Sequence, residues 1–296
     1  MKIAVSGSTG LVGTALIEKC IEEKHECRRI VRQRSSDESD ILWDPAAGSI
    51  ELKNLTEVDA VVHLAGENIA EGRWNDTKKD RIRSSRVDGT RLLCESLAKM
   101  DSPPKTLIAA SAIGYYGNRG DEICNEETTA GSDFLADVCV EWEGATNAAS
   151  DAGIRVVNLR IGVVLSSKGG ALTKMLLPFK LCAGGRVGDG KQFWSWISLT
   201  DVVGAIVYCL DNDKLSGPVN AVAPNVVTNI EFTRTLGTAL GRPTIMPMPA
   251  FAVRLMFGEM GDALLLASTR VTPERLRSAG FQFTHNQLDD ALCDLL

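Results

Sequence analysis

Residues that commonly bind transition metals are scarce or scattered in this sequence. Its 296 residues include three histidines, at positions 25, 63 and 285, which lie far apart along the chain. No two cysteines form a C-x-x-C pair, and most lie inside apolar runs. The cysteines are Cys20, Cys27, Cys94, Cys124, Cys139, Cys182, Cys209 and Cys293. We therefore predict reduced thiols in the core, with no metal site and no disulfide framework.

The sequence also lacks an uninterrupted apolar segment of membrane-spanning length. Its most apolar late stretch, residues 251–267, contains Arg254, Glu259 and Asp262, which a bilayer interior would not accommodate. The first six residues have a strand pattern and leave no room for the apolar core of a signal peptide. We expect a cytoplasmic protein without a membrane partner.

Basic residues are fewer than acidic residues in this chain, 32 against 38. The formal net charge is −6 and the isoelectric point is about 5.3. Nucleic acid and anionic membranes would be repelled by most of such a surface, although an acidic protein can still carry local basic pockets. We expect a small-molecule substrate and no nucleic-acid partner, while the sequence specifies neither that substrate nor an oligomeric state.

Short apolar runs alternate with helical patterns along the first half of the chain. Strand-like runs occupy 3–5, a segment ending at 30–31, 60–64, 106–110 and 156–159, and helical patterns occupy 11–21, 78–99 and 133–153. This alternation predicts an α/β protein with a Rossmann-type, doubly wound parallel sheet that has helices on both faces.

The pattern changes after Leu165, where glycine pairs and later prolines interrupt it. We predict a Rossmann core in residues 1–165, to which residues 198–222 return. Residues 166–197 and 223–296 are predicted to form a smaller C-terminal substrate lobe.

A glycine motif, G-x-x-G-x-x-G, follows the first strand and opens the first helix. In such a turn the first glycine permits the tight bend, the second admits a pyrophosphate, and the third allows close packing of helix on sheet. The amide-rich helix terminus attracts phosphate. The alternative is a plain glycine-rich turn. The predicted cofactor-binding residues here are Gly7, Thr9, Gly10, Leu11, Val12 and Gly13.

The end of the second strand indicates which dinucleotide binds. NAD-preferring sites usually place an acid there to hold the ribose hydroxyls, but this strand continues into Arg32 and no acid occurs before Asp37. Arg32, together with Arg34 or Ser35 as further candidates, would bind a 2′-phosphate, which favours NADP(H). These arginines would otherwise be solvated loop charges.

Residues 7–13 and 59–67 resemble the extended short-chain dehydrogenase/reductases. Motifs along nearly the whole chain are similar to the atypical YfcH-like branch, whose members are commonly labelled epimerase-family proteins. These motifs lie at 65–69, 73–74, 84–86, 114–117, 142–143, 162–165, 184–185, 196–197 and 223–225.

The resemblance implies several cofactor contacts. Leu64, Ala65 and Gly66 would border the adenosine and pyrophosphate, and Val163 and Val164 would face the nicotinamide. Core packing is the alternative role for these five residues.

Arg86 lies in a helical segment that resembles one beginning with an active-site Asn in typical extended members. An arginine there would bind phosphate or an anionic substrate, or would be an ordinary surface charge.

The Tyr-Lys pair that usually performs acid/base chemistry in this superfamily is missing. With Glu143 as the anchor, Leu135 falls at the tyrosine position and Cys139 at the lysine position. Ser111, at the end of the strand 106–110, is the best remaining catalytic candidate, with turn capping as its alternative role. Tyr115 and Tyr116 are the tyrosines close enough to replace the lost acid, and each has a structural alternative.

Two functions therefore remain open from the sequence. One is an NADP(H)-dependent oxidoreductase or epimerase that acts on a small polar metabolite with an unconventional proton donor. The other is a non-catalytic NADP(H)-sensing or regulatory binding protein. Both are compatible with an intact cofactor site, because fold does not dictate function.

Overall fold

A computed structural model describes residues 1–33 and 37–296. The strands in these ranges are β1 (Lys2–Ser6), β2 (Glu26–Val31), β3 (Ile41–Asp44), β4 (Ser49–Ile50), β5 (Ala60–His63), β6 (Thr106–Ala112), β7 (Ile123–Cys124), β8 (Arg155–Ile161), β9 (Val163–Leu165), β10 (Phe193–Trp194), β11 (Trp196–Ser198), β12 (Gly217–Ala221), β13 (Val227–Thr228) and β14 (Arg270–Val271). The helices are α1 (Leu11–Glu22), α2 (Asp76–Ala98), α3 (Phe134–Gly144), α4 (Asn147–Asp151), α5 (Gly170–Lys180), α6 (Leu199–Asp211), α7 (Asn229–Leu240), α8 (Ala250–Phe257), α9 (Glu259–Gly261), α10 (Glu274–Ala279) and α11 (Leu288–Leu295).

The main sheet has the strand order β12-β8-β6-β5-β1-β2-β3-β4. All neighbouring strands are parallel except β3 and β4, which form an antiparallel pair at one edge. The chain builds outward from β1 through β2 and β3, then returns to the other side of β1 with β5 and continues to β12. Strand order thus reverses between β1 and β5, and at such a point doubly wound sheets have their crevice, at the carboxyl ends of the strands. The predicted Rossmann-type α/β fold is confirmed.

Both faces of the sheet are buried, as the continuous apolar runs predicted. Ile3 and Val5 point to the face covered by α1 and α6, while Ala4 between them belongs to the core beneath α2. This division follows from the two-residue period of a strand. Each fully buried aliphatic side chain contributes about 1.5–3 kcal/mol, so these two layers position the crevice firmly.

The later part of the chain forms two-stranded ladders, β9 with β11, β10 with β13 and β7 with β14. A third core cluster includes Trp194, Trp196 and Phe232, so both indoles are core residues. Strand β12 returns to the main sheet beside β8. The division into a Rossmann core and a C-terminal lobe stays a prediction.

Two helical regions are irregular in the structure. The pattern at 133–153 is divided into α3 and α4, because the chain turns at Ala145 and Thr146. The leucines at 264–266 lie in a single π-helical turn, Asp262–Leu266, and α10 starts after Pro273. Among the described residues, no helix is both long enough and apolar enough to cross a membrane.

Candidate functional site

Close packing explains two glycines of the motif after β1. Gly7 has a φ of +65°, and a Cβ atom on it would lie 2.8 Å from the carbonyl carbon of Leu64. A Cβ atom on Gly13 would lie 2.2 Å from the carbonyl oxygen of Gly7. Larger residues at either position would push α1 away from the sheet, so the glycines place the helix terminus against the carboxyl ends of β1 and β5.

The N-terminus of α1 differs from those of α2, α3 and α6. Side chains of Asn75, Asp133 and Ser198 accept backbone amide hydrogen bonds at those three helices. At α1 the N-cap is Gly10, which provides no side-chain cap, and the first turn contains no acid. The amides that begin a helix have no intrahelical acceptor, and the helix dipole favours an anion beside them. This terminus therefore suits a phosphate group.

A buried hydrogen-bond group fixes the turn after β5. The amides of Leu64 and Ala65 donate to Ser6 Oγ over 3.1 and 3.3 Å. Ser6 Oγ also lies 2.7 Å from Nδ1 of His63. Because the Ser6 oxygen already accepts two amides, its hydrogen is donated to Nδ1, and the proton of the neutral imidazole resides on Nε2. The group holds Leu64 and Ala65 beside the glycine motif.

Burial lowers the pKa of His63 to about 4. As pH falls below 6.5, His63 becomes protonated in the unfolded chain but stays neutral in the folded chain. The free energy of unfolding should therefore decrease as pH falls from 6.5 to about 4. One such group contributes a slope of up to about 1.4 kcal/mol per pH unit. His63→Asn keeps an acceptor for Ser6 but cannot titrate. Urea titrations of this variant should show a smaller decrease in unfolding free energy per pH unit across that interval. The same decrease as in the wild type would contradict a lowered pKa of His63.

Arg86 lies at the same turn and is not a free surface charge. Its Nη2 donates to the carbonyl of Glu67 over 3.0 Å, and its Nη1 donates to the carbonyl of Ile82 over 3.2 Å. A Cβ atom on Gly66 would be 3.4 Å from the guanidinium carbon. Burial lowers the pKa of Arg86. The structure thus places a partly desolvated cation next to Gly66.

A polar row crosses the carboxyl ends of three neighbouring strands. Ser111 on β6 is opposite Arg160 on β8, which is opposite Asn220 on β12. The hydroxyl of Ser111 donates to Glu143 Oε1 over 2.7 Å. Arg160 donates to both carboxylate oxygens of Glu143, from Nε over 2.7 Å and from Nη2 over 2.8 Å. The sheet and α3 therefore hold a serine, a carboxylate and a guanidinium in one connected network.

The two candidate tyrosines have different surroundings. Tyr116 is fully buried; its hydroxyl donates to Asn220 Oδ1 over 2.7 Å and accepts from Arg160 Nη1 over 3.0 Å. Burial raises the pKa of Tyr116 to about 12. The half-buried Tyr115 has its ring against the guanidinium of Arg160, 3.4 Å from the guanidinium carbon to the ring centroid. Tyr116 is thus poorly suited to release a proton near neutral pH, and both tyrosines support Arg160.

The positions of the missing dyad are apolar in the structure as well. Leu135 and Cys139 lie against Gly114, where an added Cβ atom would be 3.3 Å from Leu135 Cβ and 3.8 Å from Cys139 Sγ. Burial raises the pKa of Cys139 to about 12, so the thiol stays protonated. Neither side chain can supply the acid/base chemistry of a Tyr-Lys pair.

The remaining predicted cofactor residues lie on β9 and directly after β2. Val163 and Val164 are partly buried on β9, and the amide of Val163 donates to the carbonyl of Ser195 over 2.9 Å. Arg32 is exposed directly after β2. Arg34 and Ser35 lie outside the described residues.

Comparison with known proteins identifies the family. Residues 3–222 match the model of the NAD dependent epimerase/dehydratase family. The chain belongs to this family. Residues 248–295 match a second model, described as a domain of unknown function, DUF1731.

Relatives of this epimerase-family chain match it over nearly its whole length. An epimerase family protein of Mycobacterium bovis is 45% identical over 290 residues, covering 98% of this chain and 96% of that protein. The crystal structure of human epimerase family protein SDR39U1 (isoform 2) with NADPH is similar with a TM-score of 0.92 and 35% identity, covering 100% and 99% of the two chains. A nucleoside-diphosphate sugar epimerase from Corynebacterium glutamicum gives a TM-score of 0.84 and 37% identity, with 58% of that chain covered.

Sequence reasoning did not assign a role to Glu143 or Arg160 in this family member. The strand-like run 156–159 ends one residue before Arg160, whereas the strand in the structure, β8, extends to Ile161 and includes it. Arg160 could still have been noticed in the sequence, because a charged residue within a buried strand is rare unless it is paired. Identifying its partner, however, required the packing of α3 against the sheet.

Proposed function

We propose that the chain is an NADP(H)-dependent oxidoreductase or epimerase of the atypical YfcH-like branch that acts on a small polar metabolite. The hydrogen bond from Ser111 to Glu143 carries the catalytic part of this proposal, because it supplies a proton path where the Tyr-Lys pair is missing. The cofactor part is supported by the uncapped N-terminus of α1 and by the presence of NADPH in the human SDR39U1 structure.

The described residues fit a dinucleotide phosphate. Amides of the turn from Thr9 to Gly13 would hold the diphosphate, and Arg86 would add a cation beside Gly66. Arg32 would bind the 2′-phosphate. When bound, NADPH supplies a hydride to an electrophilic carbon of the substrate.

Ser111 has a single hydroxyl hydrogen, which it donates to Glu143. Its oxygen can therefore accept a hydrogen bond from a substrate hydroxyl. In the oxidative direction the substrate proton moves to Ser111 while the Ser111 proton moves to Glu143. In the reductive direction Glu143 first takes up a proton from solvent, after which the Ser111 proton moves to the substrate oxygen and the Glu143 proton replaces it on Ser111. Arg160 holds the carboxylate in place through two charge-assisted hydrogen bonds.

We also propose that residues 166–197 and 223–296 form a substrate lobe over the crevice. Two contacts support this arrangement. Lys174 on α5 donates to the carbonyl of Ala70 over 2.9 Å, and Lys79 on α2 pairs with Glu259 over 2.8 Å. Both join the segment after β5 and the start of α2 to the later part of the chain.

Binding and turnover require separate measurements. Calorimetry with NADPH and NADP⁺ on nucleotide-free protein should detect binding, and absence of heat from both would end the cofactor proposal. A panel of aldehydes, ketones and nucleotide sugars should then be screened for NADPH consumption and for interconversion of sugar epimers. We expect activity with at least one class of compound.

A non-catalytic NADP(H)-sensing protein is the second candidate. The apolar side chains Leu135 and Cys139 at the dyad positions favour it. Binding of NADPH without turnover in the panel would support sensing over catalysis.

Arg32→Asp should weaken NADPH binding far more than NADH binding. Loss of a charge-assisted contact to the 2′-phosphate is expected to cost about 1–3 kcal/mol, and NADH lacks that phosphate. Lys24→Asp makes the same charge change before β2 and should leave both affinities near wild type. Equal weakening of the two nucleotides by Arg32→Asp would remove Arg32 from phosphate recognition.

A further inference from the structure

An exposed apolar surface is carried by two segments of the proposed substrate lobe, on side chains that have no role in the polar network around Ser111. Its seven side chains, which we call the apolar ridge, come from the end of α5, the segment before α8 and α8 itself. With their exposed fractions they are Leu177 (65%), Leu181 (70%), Ile245 (78%), Met246 (57%), Phe251 (72%), Leu255 (74%) and Met256 (56%). Soluble monomers rarely expose this many large apolar side chains together, so the ridge is expected to have a partner.

Backbone pairing joins the two segments that carry the ridge. The amide of Met246 donates to the carbonyl of Gly184 over 3.3 Å, and the amide of Met248 donates to the carbonyl of Arg186 over 2.8 Å. The chain reaches this ladder directly from the end of α5 and leaves it directly into α8. A Cβ atom on Gly185 would lie 2.0 Å from the carbonyl oxygen of Met246. The ridge therefore belongs to one part of the surface.

The same two segments concentrate positive charge. Residues 168–191 and 241–262 contain seven cations and three acids, one of which, Asp262, pairs with Arg254 over 2.8 Å, although the whole chain has a net charge of −6. All seven cations are exposed. They are Lys168, Lys174, Lys180, Arg186, Lys191, Arg242 and Arg254. The expectation of no membrane partner rested partly on the overall negative charge, which does not reveal this local excess of positive charge.

We propose that the apolar ridge and its cations dock the protein on an anionic membrane surface. Side chains more than 70% exposed, such as Phe251 and Leu255, project from the surface and suit insertion among lipid headgroups. Flanking lysines and arginines are attracted to anionic lipid. A second copy of the chain is disfavoured as the occupant, because symmetric pairing through the ridge would bring two cationic surfaces together.

Vesicle sedimentation tests the proposal with purified full-length protein. Vesicles of one part phosphatidylglycerol to two parts phosphatidylcholine should bind at least about tenfold more protein than vesicles of phosphatidylcholine alone. Binding should weaken in about 0.5 M sodium chloride, where exposed charges are largely screened. Phe251→Asp combined with Leu255→Asp should abolish it, and Lys180→Glu combined with Arg186→Glu should reduce it by about tenfold or more.

Ile123→Asp is the matched control, since Ile123 is 54% exposed on β7, outside the ridge segments. It should bind vesicles like the wild type, and thermal unfolding would verify that each variant is folded. Absence of binding to the anionic vesicles would overturn the proposal, as would equal binding to both vesicle types. Light scattering that shows a wild-type dimer, dissociated by the Phe251 and Leu255 variant, would also overturn it and assign the ridge to self-association.

Discussion

Glu143→Ala is expected to destabilise the protein by about 3–5 kcal/mol, because it leaves the buried guanidinium of Arg160 without its carboxylate partner. The Arg160 side chain is only 3% exposed and that of Glu143 is 13% exposed. Water cannot replace the lost carboxylate easily at such burial. The variant also removes the acceptor of the Ser111 hydroxyl. Urea denaturation at neutral pH would measure the change in unfolding free energy.

A control for this variant lies on the same helix. Glu141 pairs with Arg83 across α3 and α2, and both side chains are 42% exposed. Glu141→Ala should therefore cost no more than about 1 kcal/mol, as exposed pairs usually do. Combining Glu143→Leu with Arg160→Met should recover much of the stability lost by Glu143→Ala, because an apolar pair has no desolvation cost. If Glu143→Ala lowered the free energy of unfolding by less than about 1 kcal/mol, another group would have to compensate the buried charge of Arg160.

The sequence predicted the strand, glycine turn and helix at the start of the chain because their signals are local. The first 13 residues of the chain contain the apolar run of β1, the glycine motif and the start of α1. The steric reason for Gly13, its contact with Gly7, is likewise short-range, whereas Gly7 is constrained by Leu64 and Ala65, more than 50 residues away. The alternation of apolar runs also indicated a parallel sheet, since such runs remain buried on both faces.

The polar network around Ser111 depends on contacts that no local pattern encodes. Ser111 and Glu143 are 32 residues apart, and Tyr116 and Asn220 are 104 residues apart. Their meeting depends on the order and register of β6, β8 and β12, which the apolar runs alone do not specify. The short ladders and the π-helical turn of the later chain present the same difficulty, because elements of two to five residues carry little periodic signal.

Glu143 can serve both stability and catalysis, and the two roles make different predictions. A purely structural pair with Arg160 requires a negative charge but not the hydrogen bond from Ser111. A proton path requires that hydrogen bond and a carboxylate that can change protonation. Glu143→Ala removes both features at once, so its effect on activity would not separate them. A substitution at Ser111 does separate the two roles, because it removes the hydrogen bond and keeps the charge of Glu143.

Ser111→Ala should therefore lower kcat by about 10²–10⁴-fold while leaving NADPH affinity unchanged. The variant removes the hydroxyl that links substrate to Glu143 but keeps the two hydrogen bonds between Glu143 and Arg160. Its stability should fall by no more than about 1.5 kcal/mol, the usual net contribution of one hydrogen bond. Steady-state kinetics with a compound class identified by the NADPH-consumption screen would provide the measurement.

Ser150→Ala, at an exposed position on α4, is the control and should retain wild-type kinetics. Full activity of Ser111→Ala would exclude the Ser111 hydroxyl from the proton path. If Ser111→Ala instead raised KM without changing kcat, Ser111 would contribute to binding the ground state and transition state equally, with no proton transfer through it. A lowered kcat together with unchanged NADPH affinity and near-normal stability is the result expected if the proton passes through Ser111, since packing and cofactor binding would then be intact.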